Sequence, residues 1–203
     1  PFGLAAKIAY APSLDGNQNS ANAVPAGAAT DLTTSMGSSA TEMQIKAAPI
    51  DGLAIGASYI SFDNSGTNDS GNGALLKQSP ESGAVYASYT QGPASVGYSR
   101  AKAASLLSTA TLTDTTAEFY DQTNMSIAYN VNDALSVSYE IEESIAEYVT
   151  AATASIKSES DAIQAAYTMG GMTLAVSLAK HDNFGYVLNQ DASQALFAVS
   201  MAF

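Results

Sequence analysis

The chain has 203 residues, of which 13% are charged, and its formal net charge is −12. An average soluble domain has about a quarter of its residues charged, so this composition is atypical of one. Cysteine is absent, which excludes disulfides, zinc–thiolate sites and a thiol nucleophile. With only seven Lys and Arg, the chain has no basic patch for the phosphates of a nucleic acid.

Period-two alternation of side-chain character runs through most of the chain and predicts β-strands. Between Met125 and Val131 every odd position is large and apolar, while every even position is small or polar. The same holds for 135–142 and for 172–178. Successive side chains of a strand point to opposite faces, so one face is apolar and the other polar. Together with turn signals, the alternation predicts about ten strands, near 4–10, 41–48, 53–62, 83–90, 94–102, 117–131, 134–144, 161–169, 172–180 and 193–203.

The predicted connections alternate between tight turns and long polar loops. Tight turns, with the Gly, Asn, Asp and Pro that they need, are expected at 49–52, 91–93, 132–133 and 170–171. Long loops are expected near 11–40, 63–82, 103–116, 145–160 and 181–192. Short turns on one rim and long loops on the other are typical of a transmembrane β-barrel. We therefore predict an all-β chain, a single domain over 1–203 that forms an antiparallel up-and-down transmembrane barrel; a soluble sandwich, jelly roll or solenoid is the alternative.

A transmembrane helix is not expected, because no apolar run reaches the length of about 20 residues that such a helix needs. The chain opens with Pro1, Phe2 and Gly3 and not with a signal-like segment. If the protein is exported, we expect this to be a processed or partial chain.

The tyrosines share the parity of the apolar face. Tyr89, Tyr129 and Tyr167 come shortly before a tight turn, which predicts an aromatic ring at the short-turn rim. Tyr59, Tyr98 and Tyr139 come about six residues after a tight turn and predict a second ring near the far rim. Two aromatic belts around an aliphatic band are typical of a lipid-facing surface. The residues assigned to these belts are Tyr10, Tyr59, Tyr89, Tyr98, Tyr129, Tyr139, Tyr167 and Phe203.

By the same parity, the polar face should line the inside of the barrel. Charges on a pore wall set ion selectivity, and Lys7 and Lys46 are expected on neighbouring strands, with glutamates as the opposite charges. The alternative is that the interior of any barrel is polar, even of a plugged one. The predicted pore-lining residues are Lys7, Glu42, Gln44, Lys46, Asn124, Ser126, Asn130, Ser136, Ser138, Glu140, Glu142, Gln164, Thr168, Thr173 and Ser177.

Other charged residues are expected at the long-loop rim. Arg100, Lys102 and Lys180 end their predicted strands there, where they could pair with lipopolysaccharide phosphates or simply be solvated. Acidic residues are expected in the long loops, as solvated side chains or as oxygen ligands for divalent cations: Asp63, Asp69, Glu81, Asp114, Glu143, Glu147, Glu159, Asp161, Asp182 and Asp191.

An enzymatic function has little support in the sequence. The one histidine, His181, is expected in a loop near the rim, and a Ser-His-acid hydrolase there is the alternative. No G-x-S-x-G elbow is present. Glu142 and Glu143 should lie on opposite faces of one strand, so they cannot act as a pair. We expect no catalytic site, no metal and no cofactor.

The C-terminal end narrows the class of barrel. The chain ends Phe-Ala-Val-Ser-Met-Ala-Phe at 197–203, which resembles the terminal strand signature that the barrel-assembly machinery recognises in Gram-negative outer-membrane proteins. Two stretches resemble hairpins of general porins of the α-proteobacterial type: Ala-Ala-Tyr-Thr-Met-Gly-Gly-Met-Thr-Leu at 165–174 and Ile-Ala-Tyr-Asn-Val-Asn-Asp-Ala-Leu-Ser at 127–136. The resemblance covers residues 120–203 well and the first part of the chain only in rhythm.

The resemblance implies a trimeric barrel of about 16 strands, with a third loop folded into the lumen as a constriction. Because fewer strands are predicted here, we expect the first strands and that loop to lie outside this chain. The implied function is a bacterial outer-membrane channel for passive diffusion of small hydrophilic solutes and ions. Its implied partners are outer-membrane lipid and lipopolysaccharide, two further copies of the chain, and the assembly machinery at Phe203. The alternative is a narrow barrel that acts as an adhesin, receptor or structural anchor without conductance.

Overall fold

The computed structural model describes residues 2–11, 39–62, 76–104, 107–108, 113–114, 116–150 and 152–201. These residues form the strands β1 Ala5–Ala11, β2 Ala40–Ala47, β3 Leu53–Phe62, β4 Leu76–Gln78, β5 Glu81–Gln91, β6 Ala94–Ala104, β7 Leu107–Ser108, β8 Ala117–Asn130, β9 Leu135–Tyr148, β10 Ile156–Met169, β11 Met172–Asp182 and β12 Ala192–Met201. A single-turn 3₁₀ helix, Phe184–Tyr186, precedes β12. The part of the chain that the structure describes holds no helix with the length and hydropathy of a membrane span.

Ten of the strands form one antiparallel sheet in the order β1-β2-β3-β5-β6-β8-β9-β10-β11-β12. Each strand pairs with the next long strand along the chain, so the arrangement is up-and-down. The predicted all-β class and the antiparallel up-and-down order are therefore confirmed. Within the described residues the sheet is open, with β1 and β12 as its edges. The short strands β4 and β7 pair with each other in a separate two-stranded sheet.

Tight turns join β2 to β3, β5 to β6, β8 to β9 and β10 to β11, as predicted. Gly52, Gly92 and Gly170 have positive φ angles of 78°, 57° and 61°, a conformation that glycine adopts without steric cost. In the turn before β9, the side-chain oxygen of Asn132 accepts hydrogen bonds of 2.9 Å from two backbone amides. These local interactions reverse the chain at one rim of the sheet.

Two strands are longer than the alternation predicts. β9 ends at Tyr148, beyond the predicted end at 144, and β10 begins at Ile156, before the predicted start at 161. Charged residues such as Glu143 and Glu159 occupy positions on the apolar face here. The alternation of apolar and polar residues is therefore lost, although the backbone pairing continues. β4, β7 and the 3₁₀ helix also lie where only loops are predicted.

Neighbouring hairpins are staggered in the same direction. The first residue after each tight turn lies opposite a tyrosine that comes two or three positions before the next turn. The pairs are Leu53 with Tyr89, Ala94 with Tyr129, and Leu135 with Tyr167. A stagger in one direction tilts the strands, which is the geometry of a barrel wall.

Few side chains are fully buried, and the sheet has no hydrophobic core on its apolar side. The buried side chains among the described residues include Ala40, Ala103, Leu107, Ser144 and Ala146. Except for Leu107 in β7, they belong to the polar face of the sheet near the long loops. Gln78 in β4 donates a 2.8 Å hydrogen bond to the backbone oxygen of Glu118 in β8, which attaches the small sheet to this rim. Burial among the described residues is therefore concentrated on the polar face near the long-loop rim.

Candidate functional site

The two faces of the large sheet are the candidate functional surfaces. Residues directly opposite each other in an antiparallel pair lie on the same face, so the register assigns every strand residue to one side. By this register, all predicted pore-lining residues share one face, which we call the polar face: Lys7 on β1; Glu42, Gln44 and Lys46 on β2; Asn124, Ser126 and Asn130 on β8; Ser136, Ser138, Glu140 and Glu142 on β9; Gln164 and Thr168 on β10; Thr173 and Ser177 on β11.

The polar face is concave over the last strands of the sheet. A hollow of about 360 Å³ lies along β8 to β12, and its lining includes Asn130, Ser138, Gln164, Ser177 and Leu196. Near the short-turn rim, the hydroxyls of Thr168 and Thr173 lie 3.1 Å apart. The hollow is open to solvent and makes this part of the polar face concave.

Small side chains dominate the polar face between these polar residues. Directly opposed pairs such as Ala162 with Ala179 and Ala166 with Ala175 leave no bulky group on the wall. Gly97 adds to this, and a Cβ there would lie 2.7 Å from Ser126 Oγ. These residues carry no charged or amide group, so the sequence prediction left them out, although the same parity identifies them. The polar face is therefore low over β10 and β11, whereas the ring of Tyr86 on β5 lies over Gly56.

The charged groups of the polar face lie in two sectors. Lys46 and Glu142 belong to one row of opposed residues that runs through Gly56, Tyr86, Ser99 and Asn124. Five strand steps of about 4.8 Å separate them, which is about 24 Å along the sheet. Lys7 lies diagonally from Lys46 on β1, as predicted, and Glu140 lies one row from Glu142. Glu42 shares β2 with Lys46, so one sector carries both signs of charge and the sector on β9 is acidic.

The opposite face, which we call the apolar face, leaves large hydrophobic side chains uncovered. Ile8 is 76% exposed, Ile163 is 56% exposed, and Phe197 is 70% exposed. Monomeric soluble proteins rarely leave a continuous apolar surface of this extent open to water. Nothing within the described residues packs against it.

The predicted belt tyrosines all lie on the apolar face, but the second set is not at the far rim. Tyr129 pairs with Val137, and Tyr139 pairs with Ile127 in the next row. Tyr98 pairs with Met125, two rows beyond the row of Tyr129. These strands are longer than predicted, so a residue six positions after the turn lies in mid-strand. Tyr10 and Tyr59 lie further along β1 and β3, and Phe203 lies outside the described residues.

On the apolar face of the β10–β11 hairpin, the uncharged residues end abruptly at a limit on the side of the long loops. Four successive opposed pairs carry no charge: Met169 with Met172, Tyr167 with Leu174, Ala165 with Val176, and Ile163 with Leu178. The next pair is Asp161 with Lys180. At about 3.4 Å per residue, the uncharged part extends about 20 Å along the strand.

Above this limit, charged side chains form an ionic band on the same face. Arg100 contacts Asp121 at 2.6 Å, and Lys102 contacts the same carboxylate at 3.1 Å. Lys157 contacts Glu143 at 3.1 Å and Glu159 at 2.7 Å. These exposed pairs contribute little to stability. They arrange both signs of charge along the long-loop rim.

The prediction that these acidic residues lie in the long loops is wrong for most of those that the structure describes. Asp114 and Asp191 lie in connections as predicted, whereas Asp63 and Asp69 lie outside the described residues. The others belong to strands, because pairing extends past the apolar part of each hairpin: Glu81, Glu143, Glu147, Glu159, Asp161 and Asp182. No three His, Asp or Glu side chains come together as a metal site in the described ranges.

His181 lies on β11 and not in a loop as predicted, because the strand continues to Asp182. Its Nδ1 atom lies 2.8 Å from Ser160 Oγ on the polar face. A serine hydrolase also needs a carboxylate to orient the histidine and free amides to stabilise an oxyanion. Within the described chain no carboxylate is hydrogen-bonded to His181, and Asp182 belongs to the other face. The pair therefore lacks the parts of a hydrolytic site.

Comparison with models of known protein families gives no match, and comparison with curated proteins gives none either.

Proposed function

We propose that this chain forms the wall of an outer-membrane porin, a water-filled channel through which small hydrophilic solutes and ions diffuse passively. One observation carries the proposal. A single staggered sheet has an exposed apolar face on one side and a concave face of small and polar side chains on the other. A soluble sandwich would have the reverse arrangement, with its apolar faces packed together.

The dimensions of the apolar face support a membrane location. The uncharged part of the β10–β11 hairpin is about 20 Å long along the strand, and the apolar band of outer-membrane barrels is about 25 Å tall. Transmembrane strands need about 9–11 residues, and β8, β9 and β10 each have 14. The strands are therefore long enough to cross and to continue beyond the membrane, where the ionic band lies.

The small residues of the polar face favour an open channel over a filled barrel. Narrow barrels of about eight strands fill their interior with side chains. Here opposed alanines leave the wall low over β10 and β11, so side chains from that part of the wall do not fill the interior. In this proposal the ten strands are part of a barrel of about 16 strands, the size that leaves an aqueous channel.

A narrow barrel that serves as an adhesin, receptor or anchor is the second candidate. The observation in its favour is the direction of the edge strands. β1 begins beside Ala48 at the short-turn rim, and β12 ends there beside Met172, so the two edges run antiparallel. Ten strands could therefore close on themselves, and the β11–β12 connection, whose Tyr186 contacts Ser144 on the polar face, would then obstruct a narrow interior.

We propose lipopolysaccharide and a second and third copy of the chain as partners. The ionic band offers Arg100, Lys102 and Lys180 to anionic headgroups, with carboxylates that divalent cations could bridge. On β1, β2 and β3 the apolar face has no charged residue. That uncharged sector suits a contact between copies in a homotrimer. Phe203 is the proposed contact for the barrel-assembly machinery.

Planar lipid bilayers test the proposal directly. The refolded protein should insert and give stepwise, ohmic increases in current, and vesicles that contain it should swell in small sugars. Trimers should migrate as a heat-modifiable species in gels. Correctly folded protein that inserts without any conductance would overturn the porin proposal and favour the adhesin or receptor.

A further inference from the structure

The connection between β11 and β12, residues 183–191, folds onto the polar face, and we call it the inward loop. The hydroxyl of Tyr186 lies 2.7 Å from Ser144 Oγ on β9. The Tyr186 ring lies 5.1 Å from the ring of Tyr120 on β8, at an angle of 45°. The inward loop therefore reaches past β10 to the two strands beyond it, a distance of about 14 Å for three strand steps.

Hydrogen bonds within the inward loop hold it in one shape. Asn183 donates from its side chain to the backbone oxygen of Lys157 at 2.9 Å and accepts from the Asn189 amide at 2.9 Å. The Phe184 amide donates to the Gln190 oxygen at 2.6 Å. Asn183, Tyr186 and Asn189 all have φ between 52° and 60°. This region is unfavourable for a bulky residue, so contacts must compensate for it at Tyr186.

Water is excluded where the inward loop meets the wall. Ser144 is only 6% exposed and Ala146, on the same face, only 1%. Most other described residues of the polar face are partly or fully open to solvent. Burial also raises the pKa of Tyr186. The contact is thus a packed junction, unlike the open wall nearer the short turns.

We propose that the inward loop sets the upper size limit of solutes at the long-loop mouth, with Tyr186 as the positioning residue that holds it against the wall. This inference rests on the proposed porin function and names the element that determines which solutes pass. The inward loop starts at the rim and extends across the wall by three strand steps, so it occupies part of the cross-section of the proposed channel. The small side chains of the wall would otherwise leave that part open.

Three variants separate the contributions of the Tyr186 ring and the Tyr186 hydroxyl to docking of the inward loop against the wall. Tyr186→Ala removes the ring and the hydroxyl, whereas Tyr186→Phe removes only the hydrogen bond to Ser144. Leu188→Ala is the matched control, because Leu188 belongs to the same loop and is 65% exposed. Hydrogen–deuterium exchange of the peptide that covers 183–191 reports docking in each variant, whether or not the protein conducts.

Channel size is measured in the same variants from single-channel conductance with neutral polymers of graded size. We expect Tyr186→Ala to lose protection from exchange, to conduct more and to admit larger polymers, with Tyr186→Phe intermediate and Leu188→Ala unchanged. An undocked loop with an unchanged polymer limit would overturn the inference and leave the porin intact. A wild type that is docked but never conducts would instead show that the proposed function has failed, and the inference with it.

Discussion

Glu142 and Glu143 are adjacent in the chain but have different surroundings. Glu142 lies on the polar face opposite Asn124 and Ser160. Glu143 lies on the apolar face, within 3.1 Å of Lys157 in the ionic band. Period two alone separates them, so their faces could be predicted from the sequence. The partner of Glu143 could not, because it depends on the register between β9 and β10.

Gly52 is the residue at which the backbone depends most on the absence of a side chain. It has a positive φ, and a Cβ there would lie 2.1 Å from the backbone oxygen of Thr90. We expect Gly52→Ala to lower the free energy of unfolding by about 1–2 kcal/mol for the left-handed backbone and by about 1–3 kcal/mol more for the clash. Denaturant unfolding in lipid vesicles, followed by circular dichroism, measures the loss.

Gly92→Ala is the matched control for Gly52→Ala. Gly92 also has a positive φ in a tight turn, but a Cβ there would meet nothing within 4 Å. This variant should lose only the backbone contribution of about 1–2 kcal/mol. Equal losses in the two variants would contradict the close approach between Gly52 and Thr90.

At the scale of elements, the ten long strands and four tight turns could be predicted because each rests on local signals. Alternation marks a strand, and Gly, Asn or Asp marks a turn. The extensions of β9 and β10 could not, because charged residues there interrupt the alternation. β4 and the inward loop depend on contacts between distant segments, such as Gln78 with Glu118 and Tyr186 with Ser144. No local pattern encodes those contacts.

Two neighbouring positions on β10 test which face of the sheet contacts lipid. Ile163 lies on the apolar face beside Leu178, and Gln164 lies on the polar face beside Ser177. In a bilayer, Ile163→Arg should lower the free energy of unfolding by about 1–2 kcal/mol, less than at the midplane, because Ile163 lies in the last uncharged row below the ionic band. Gln164→Arg should change it by within about 0.5 kcal/mol. Reversible unfolding in vesicles compares the two.

One outcome of the comparison between Ile163→Arg and Gln164→Arg would contradict the proposed orientation of the sheet. Both side chains are exposed in the isolated chain, so differences in packing do not favour either variant. A larger loss for Gln164→Arg would place the polar face against lipid or a protein core. That result would reverse the proposed orientation of the sheet.

Docking of the inward loop should depend on pH at the alkaline end. Burial, the largest cause, raises the pKa of Tyr186, and the charge of Glu142 raises it further, while the hydrogen bond with Ser144 lowers it. The docked state therefore holds the phenolic proton more tightly than the unfolded state. Docking should be at full strength below the ordinary tyrosine pKa of about 10 and should weaken as the pH rises through the raised value.

Tyrosinate absorbance tests this pH dependence. The difference between the wild type and Tyr186→Phe reports mainly the Tyr186 phenol, and its midpoint should lie above about 10. Tyr120 is present in both proteins, but burial and, to a smaller extent, the charge of Tyr186 raise its pKa, so its earlier titration in the variant adds a smaller part to the difference. A midpoint at or below the ordinary value would mean that Tyr186 is not buried against the wall.

At the scale of the whole molecule, the stagger of the hairpins and the sidedness of the sheet act together. The stagger tilts the strands in one direction, as in a barrel wall, and the hollow lies on the polar face. Among the described strand residues, the ionic band lies on the apolar face and few charged residues lie on the polar face. The net charge of −12 therefore does not by itself set the ion preference of the proposed channel.

The charges inside should set that preference, and Glu142 offers the sharpest test. In the proposed channel, Glu140→Gln with Glu142→Gln removes the acidic pair on β9 and leaves Lys7, Lys46 and Glu42 on β1 and β2. We expect the reversal potential in a salt gradient to shift toward anion preference, because wall charges determine which ions accumulate. Glu143→Gln is the matched control, since it removes the same charge one residue away on the outer face. An equal shift in the control would mean that the two faces do not separate lumen from exterior, and the porin proposal would fail with it.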